Sequence, residues 1–104
     1  MAISRFRITA NALEPRVRQA AKDSSNVVFV PPPEKRSMAG AMLFQQAMSC
    51  LRTGRIAGKP VFTEDGLWEF RMRRYAANQW FSIKVAASVN GARVEKLFVI
   101  LSED

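Results

Sequence analysis

Residues 66–101 read GLWEFRMRRYAANQWFSIKVAASVNGARVEKLFVIL, and three antiparallel strands account for this stretch. Asn90-Gly91 stands between two alternating apolar runs. Both centre residues of a type I′ turn need positive φ, which Asn-Gly tolerates best, so the dipeptide predicts a two-residue hairpin loop. That loop sets a register: Val89 opposite Ala92, Ala87 opposite Val94, Val85 opposite Lys96, Ile83 opposite Phe98 and Phe81 opposite Ile100. Opposed residues share a face and successive residues alternate between faces. The expected core side therefore carries Phe81, Ile83, Val85, Ala87, Val94, Phe98 and Ile100. The other side is mixed, with Trp80, Ser82, Lys84, Ala86, Arg93, Glu95, Leu97, Val99 and Leu101.

The preceding strand, residues 67–73, divides in the same way. Trp68, Phe70 and Met72 fall on one side, and Leu67, Glu69, Arg71 and Arg73 on the other. With the aromatic side inward, Arg71 and Arg73 project from the open sheet face together with Lys84. A half-polar, cationic sheet face is the unusual feature of the chain.

The 104 residues suffice for one domain with a single core. A composition of 48% apolar and 24% charged residues is that of a globular protein, not a disordered one. Sixteen Lys and Arg against nine Asp and Glu give a net charge of +7. Such an excess favours a polyanionic partner, with a basic surface kept only for solubility as the plain alternative. No histidine is present, which removes Ser-His-Asp chemistry and nearly all zinc sites. The lone Cys50 lies in an apolar helical pattern and reads as a small buried hydrophobe. No metal, cofactor or small-molecule site is expected. Without an apolar leader, a membrane-length run or paired cysteines, the chain reads as cytoplasmic, with no membrane partner.

Residues 3–9 alternate as a short edge strand would. Asn11 followed by Glu14 resembles a capping box opening a helix over residues 12–22, with Leu13, Val17, Ala20 and Ala21 on its apolar face. The short run 27–30 precedes Pro31-Pro32-Pro33 and reads as an edge strand or an extended linker. A second helix is expected over residues 37–53, with Met38, Ala41, Met42, Phe44, Ala47, Met48 and Leu51 forming its apolar face and Gly54 at the C′ position. Arg52, Arg55 and Lys59 follow in RTGRIAGKP, expected as a loop. Its glycine spacing does not match a Walker loop. Residues 61–65 then lead into the strands. The expected fold is α+β: two helices packed on one face of an antiparallel sheet, with a C-terminal three-stranded meander.

Gly66-Leu67-Trp68-Glu69-Phe70-Arg71, preceded by Leu51-x-x-Gly54 and followed by the hairpin VNGARVEKLFVI, resembles the RelE/ParE superfamily of bacterial toxins, in particular its HigB-like branch. The likeness covers residues 51–101. It implies a RelE-like fold whose cationic sheet face acts on RNA in the ribosome or, in the ParE branch, engages gyrase; Arg71 matches the family's strand arginine. An antitoxin protein would be a further partner. The chain departs from the family where a Tyr-Arg pair is usual and Gln79-Trp80-Phe81-Ser82 stands instead. It departs again at the acidic end, Leu101-Ser102-Glu103-Asp104, and in the segment 27–33 between the helices.

The expected function is that of an RNA-cleaving toxin, an endoribonuclease. Arg71 and Arg73 would clamp phosphate through their forked donors. Glu69 would serve as the base for the 2′-OH, with Lys84 as a base only if its proton were loosened by its surroundings. Arg52, Arg55, Lys59, Arg74, Arg93, Tyr75 and Trp80 are the candidate nucleic-acid contacts, the last two by stacking. The competing expectation is a non-catalytic basic module that binds nucleic acid or protein, including a gyrase inhibitor or a decayed toxin. A plainer reading has Arg71 paired with Glu69 or Glu95 on a solvated sheet face.

Overall fold

The computed structural model describes residues 8–30, 38–91 and 93–100. Its elements run α1 (Ala10–Ala21), a 3-10 turn (Ser24–Asn26), β1 (Val27–Val30), α2 (Met38–Thr53), β2 (Arg55–Phe62), β3 (Trp68–Ala76), β4 (Gln79–Asn90) and β5 (Arg93–Ile100). The expected strand over residues 3–9 and the triproline fall largely or wholly outside the described residues.

The five strands form one sheet in the order β1-β5-β4-β3-β2. The fold is α+β with both helices on one sheet face, as expected, but the sheet is mixed. β1 is a true edge strand and pairs parallel with β5, Val28 beside Phe98 and Val30 beside Ile100. The meander has four strands, because Arg55, Lys59 and Pro60, expected in a loop, belong to β2. That strand was masked by its own irregularity. Gly58 (φ 83°) sits where the β2–β3 register shifts between Ala57 and Val61, breaking the alternation that marks a strand.

The tight hairpin with two left-handed residues is not at Asn90-Gly91. It joins β3 to β4 through Ala77 (φ 52°) and Asn78 (φ 61°), with Tyr75 opposite Trp80 and Ala76 opposite Gln79. At the last hairpin Asn90 is still paired, opposite Arg93, and only Gly91 of the Asn-Gly pair takes positive φ. Val89 accordingly faces Val94, not Ala92. A shift between Ser88 and Val89 then leaves Glu95 without an opposite number, so Val85 faces Val99 and Lys84 faces Ile100. The bulge lets Glu95 and Lys96 both reach solvent. Val94 keeps its expected buried side, and the expected faces of β5 exchange only beyond the bulge. Leu97 and Val99 are fully buried, while Phe98 and Ile100 lie half-buried on the open side.

The core collects Leu13, Val17 and Ala21 of α1, Ala47, Cys50 and Leu51 of α2, and Met72, Val85, Leu97 and Val99 of the sheet. Met42 and Ala41 are exposed, because the buried arc of α2 runs through Ala47, Met48, Cys50 and Leu51. Thr9, not Asn11, caps α1, its hydroxyl accepting from the Ala12 N–H at 3.2 Å. Glu14 is thereby left for a longer reach. Its Oε1 accepts from the Ile56 N–H at 3.0 Å and its Oε2 from Arg18 at 3.0 Å, while Arg18 donates to the Gly54 carbonyl at 2.9 Å. These bonds hold the start of β2 against α1. Gly54 is required by close approach and not by a left-handed cap. A Cβ there would lie 2.6 Å from the Cys50 carbonyl oxygen and 2.7 Å from that of Arg73.

Candidate nucleic-acid interface

Alternation along β3 and β4 puts Glu69, Arg71, Arg73 and Tyr75 on the open face beside Trp80, Ser82, Lys84 and Ala86. Arg71 is opposite Lys84, Arg73 opposite Ser82 and Tyr75 opposite Trp80. The four residues expected to be catalytic are therefore brought together. Lys84 Nζ lies 3.7 Å from Glu69 Oε1, diagonally across the pair of strands. Glu69 thus pairs with Lys84 and not with Arg71, and Glu95 accepts from Asn90 at 3.3 Å. Among the described residues Arg71, Arg73 and Arg55 form no ion pair.

At the hairpin end the face becomes aromatic. The rings of Tyr75 and Trp80 are 5.0 Å apart and tilted, and they are 55% and 60% exposed. Such exposure is costly for large rings unless something else covers them. The Arg73 guanidinium carbon sits 4.6 Å from the Trp80 ring centroid, an arrangement in which the indole face attracts the cation. Tyr75 Oη reaches Asn78 Oδ1 at 3.4 Å, tying the ring to the turn.

These side chains line an open groove of about 480 Å³ with Arg55, Arg74, Thr53 and Ile56. Arg55 and Arg73 stand directly opposite each other across β2 and β3. Like charges in opposed positions destabilise a strand pair. The groove thus holds two unneutralised guanidinium groups and an exposed aromatic pair, the chemistry that grips phosphates and stacks bases.

Four of the expected contacts lie elsewhere or act differently. Arg74 turns to the helix side, where its Nε donates to Thr53 Oγ1 at 2.8 Å, beside the electronegative end of α2. It reaches the groove wall from behind. Arg52 donates through Nε to the Ala21 carbonyl at 2.9 Å and joins the ends of the two helices. Arg93 is at the far end of β4 from Trp80, in a depression against α1. Lys59 is exposed in the irregular part of β2, away from the groove lining. The spacing of Glu14 and Arg18 does not by itself reveal the brace that places Arg55, because an i,i+4 pair on a helix ordinarily signals only a solvated face. Cys50 is buried, and burial pushes its thiol up to about 11, so it takes no part.

Among the described residues no three His, Cys, Asp or Glu side chains are grouped as metal ligands, and no helix is long and apolar enough to cross a membrane. Comparison with protein-family models, curated proteins and solved structures gives no match to this chain.

Proposed function

We propose that this protein binds single-stranded nucleic acid, RNA in particular, on the open face of its sheet. The observation that carries this reading is the Arg55–Arg73 pair, without an ion-pair partner among the described residues, beside the exposed Tyr75 and Trp80. Phosphates would take the forked guanidinium donors, and an unstacked base would lie on the indole. A duplex hides its base faces and cannot use the rings. Arg71 and Lys84 continue the cationic track along β3 and β4. In a salt titration with an oligouridylate, three phosphate contacts from Arg55, Arg71 and Arg73 give a slope of log K against log salt of about −2. A flat response would point to a protein partner instead.

A second reading, RNA cleavage by a toxin of the RelE/ParE kind, is favoured by Glu69 and Lys84 standing 3.7 Å apart beside Arg71. Glu69 would take the proton of the 2′-OH as its oxygen attacks phosphorus. Arg71 would balance the charge on the pentacovalent phosphate, and the Lys84 ammonium would give a proton to the departing 5′ oxygen. The products would be a 2′,3′-cyclic phosphate and a 5′-hydroxyl end. Induced expression with mapping of RNA 5′ ends tests it. Growth arrest with new 5′-hydroxyl ends, lost in Glu69→Gln, supports cleavage, whereas unchanged ends in that variant remove it and leave the binding module.

A further inference from the structure

Two of the candidate contacts that miss the groove, Arg93 and Arg52, meet on one surface. Arg93 lines a depression of about 460 Å³ with Arg16, Lys22, Gln19 and Asn26, where the start of β5 meets α1. Arg52 lines a second of about 350 Å³ with Arg18. The two share Pro15, Gln19 and Lys22, so they form one continuous surface over the outside of α1. Lys96 adjoins it, its Nζ 3.4 Å from the Ser25 carbonyl oxygen.

Among the described residues that line the surface there is one carboxylate, Asp23, which hydrogen-bonds locally and also feels the charge of Lys96. It caps the 3-10 turn, accepting from the Ser25 N–H at 3.0 Å and the Ser25 hydroxyl at 2.8 Å. Arg16, Lys22, Arg93 and Lys96 form no ion pair among the described residues, and Arg52 uses only Nε in joining the helices. The sheet lies between α1 and the side chains of Arg71, Arg73 and Lys84, and Arg93, opposite Asn90, stands at the far end of β4 from them. The positive charge of the described residues is thus arranged as two separate patches.

We infer that the outer surface of α1, through Arg16, Lys22 and Arg93, is a second phosphate-backbone contact, so that one chain holds two nucleic-acid segments, one on each patch. The inference rests on the reading of the sheet face as a nucleic-acid site. The patches differ in kind: the groove has exposed rings, while the described residues of the α1 surface present cations and amides without an aromatic. The second contact therefore reads backbone charge alone and accepts single strands and duplexes alike.

The test is the stoichiometry of complexes with trideoxythymidylate, measured by native mass spectrometry and sedimentation at low salt. This probe is short beside the 26–51 Å dimensions of the protein and lacks the 2′-OH that cleavage would need. Wild type should carry two strands per chain. Arg16→Gln/Lys22→Gln/Arg93→Gln should carry one, with strand-induced quenching of Trp fluorescence retained. Arg73→Gln/Trp80→Ala should also carry one, with the quenching lost. One strand per wild-type chain, or two per chain in the triple variant, overturns the second contact. Two strands retained in the sheet variant overturn the reading of the sheet face instead, so the two failures are distinguishable. All five substituted positions are solvent-accessible, and circular dichroism of each variant verifies its fold.

Discussion

Arg73 lies over the indole of Trp80, 4.6 Å from the ring centroid, and Tyr75 tilts against the same ring at 5.0 Å. The three side chains hold one another in place before any ligand arrives, which lowers the ordering cost of binding. Removing the platform in Trp80→Ala should weaken oligouridylate binding about ten-fold or more, since stacking on an aromatic is worth about 1–3 kcal/mol per base. Arg73→Lys keeps the charge but not the planar fork. It should lower affinity while leaving the salt slope unchanged, whereas Arg73→Gln should reduce the slope by about 0.7. Fluorescence titrations at several salt concentrations separate these outcomes.

Arg55 faces Arg73 across the β2–β3 pair. Arg55→Gln should therefore act with opposite signs on folding and on binding. Relief of the like-charge pair should raise stability in urea by a few tenths of a kcal/mol, and loss of a phosphate contact should weaken oligonucleotide binding. Loss of both would mean that Arg55 serves the fold.

Gly54 has the Cys50 and Arg73 carbonyl oxygens 2.6 and 2.7 Å from where a Cβ would stand. Both are backbone atoms and cannot swing aside. Gly54→Ala should cost about 1–3 kcal/mol in a urea melt, by forcing the end of α2 away from β3. The same displacement should open the groove and weaken binding.

Burial holds the Cys50 thiol at about 11, above its ordinary 9.0. The unfolded chain then loses this proton first. The contribution to stability is fully present below about pH 9 and is lost as pH rises towards 11. Cys50→Ala should flatten that limb of the stability profile. The native thiol should resist iodoacetamide at pH 8 and react once urea unfolds the chain.

Fold class, the two helices on one sheet face and the union of Glu69, Arg71, Arg73 and Lys84 were legible in the sequence, because period-2 and period-3.6 patterns record which side of each element meets the core. Alternation along β3 alone places Arg71 and Arg73 on one face, and Met72 between them on the other. What the tertiary structure decided was where alternation breaks. The bulge at Glu95 exchanged the faces of β5 beyond it, and the irregularity at Gly58 hid β2 among apparent loop residues. The left-handed turn formed at Ala77-Asn78 although Asn90-Gly91 suits one better, because the pairing of Tyr75 with Trp80 and of Arg71 with Lys84 leaves two residues to close that hairpin. Charge is visible in a sequence, but its destination is not. Alternation sends Arg74 to the side of Met72, but that Thr53 at the end of α2 receives it, that Arg52 joins the two helix ends, and that Arg55 faces Arg73 at the groove were decided by the packing.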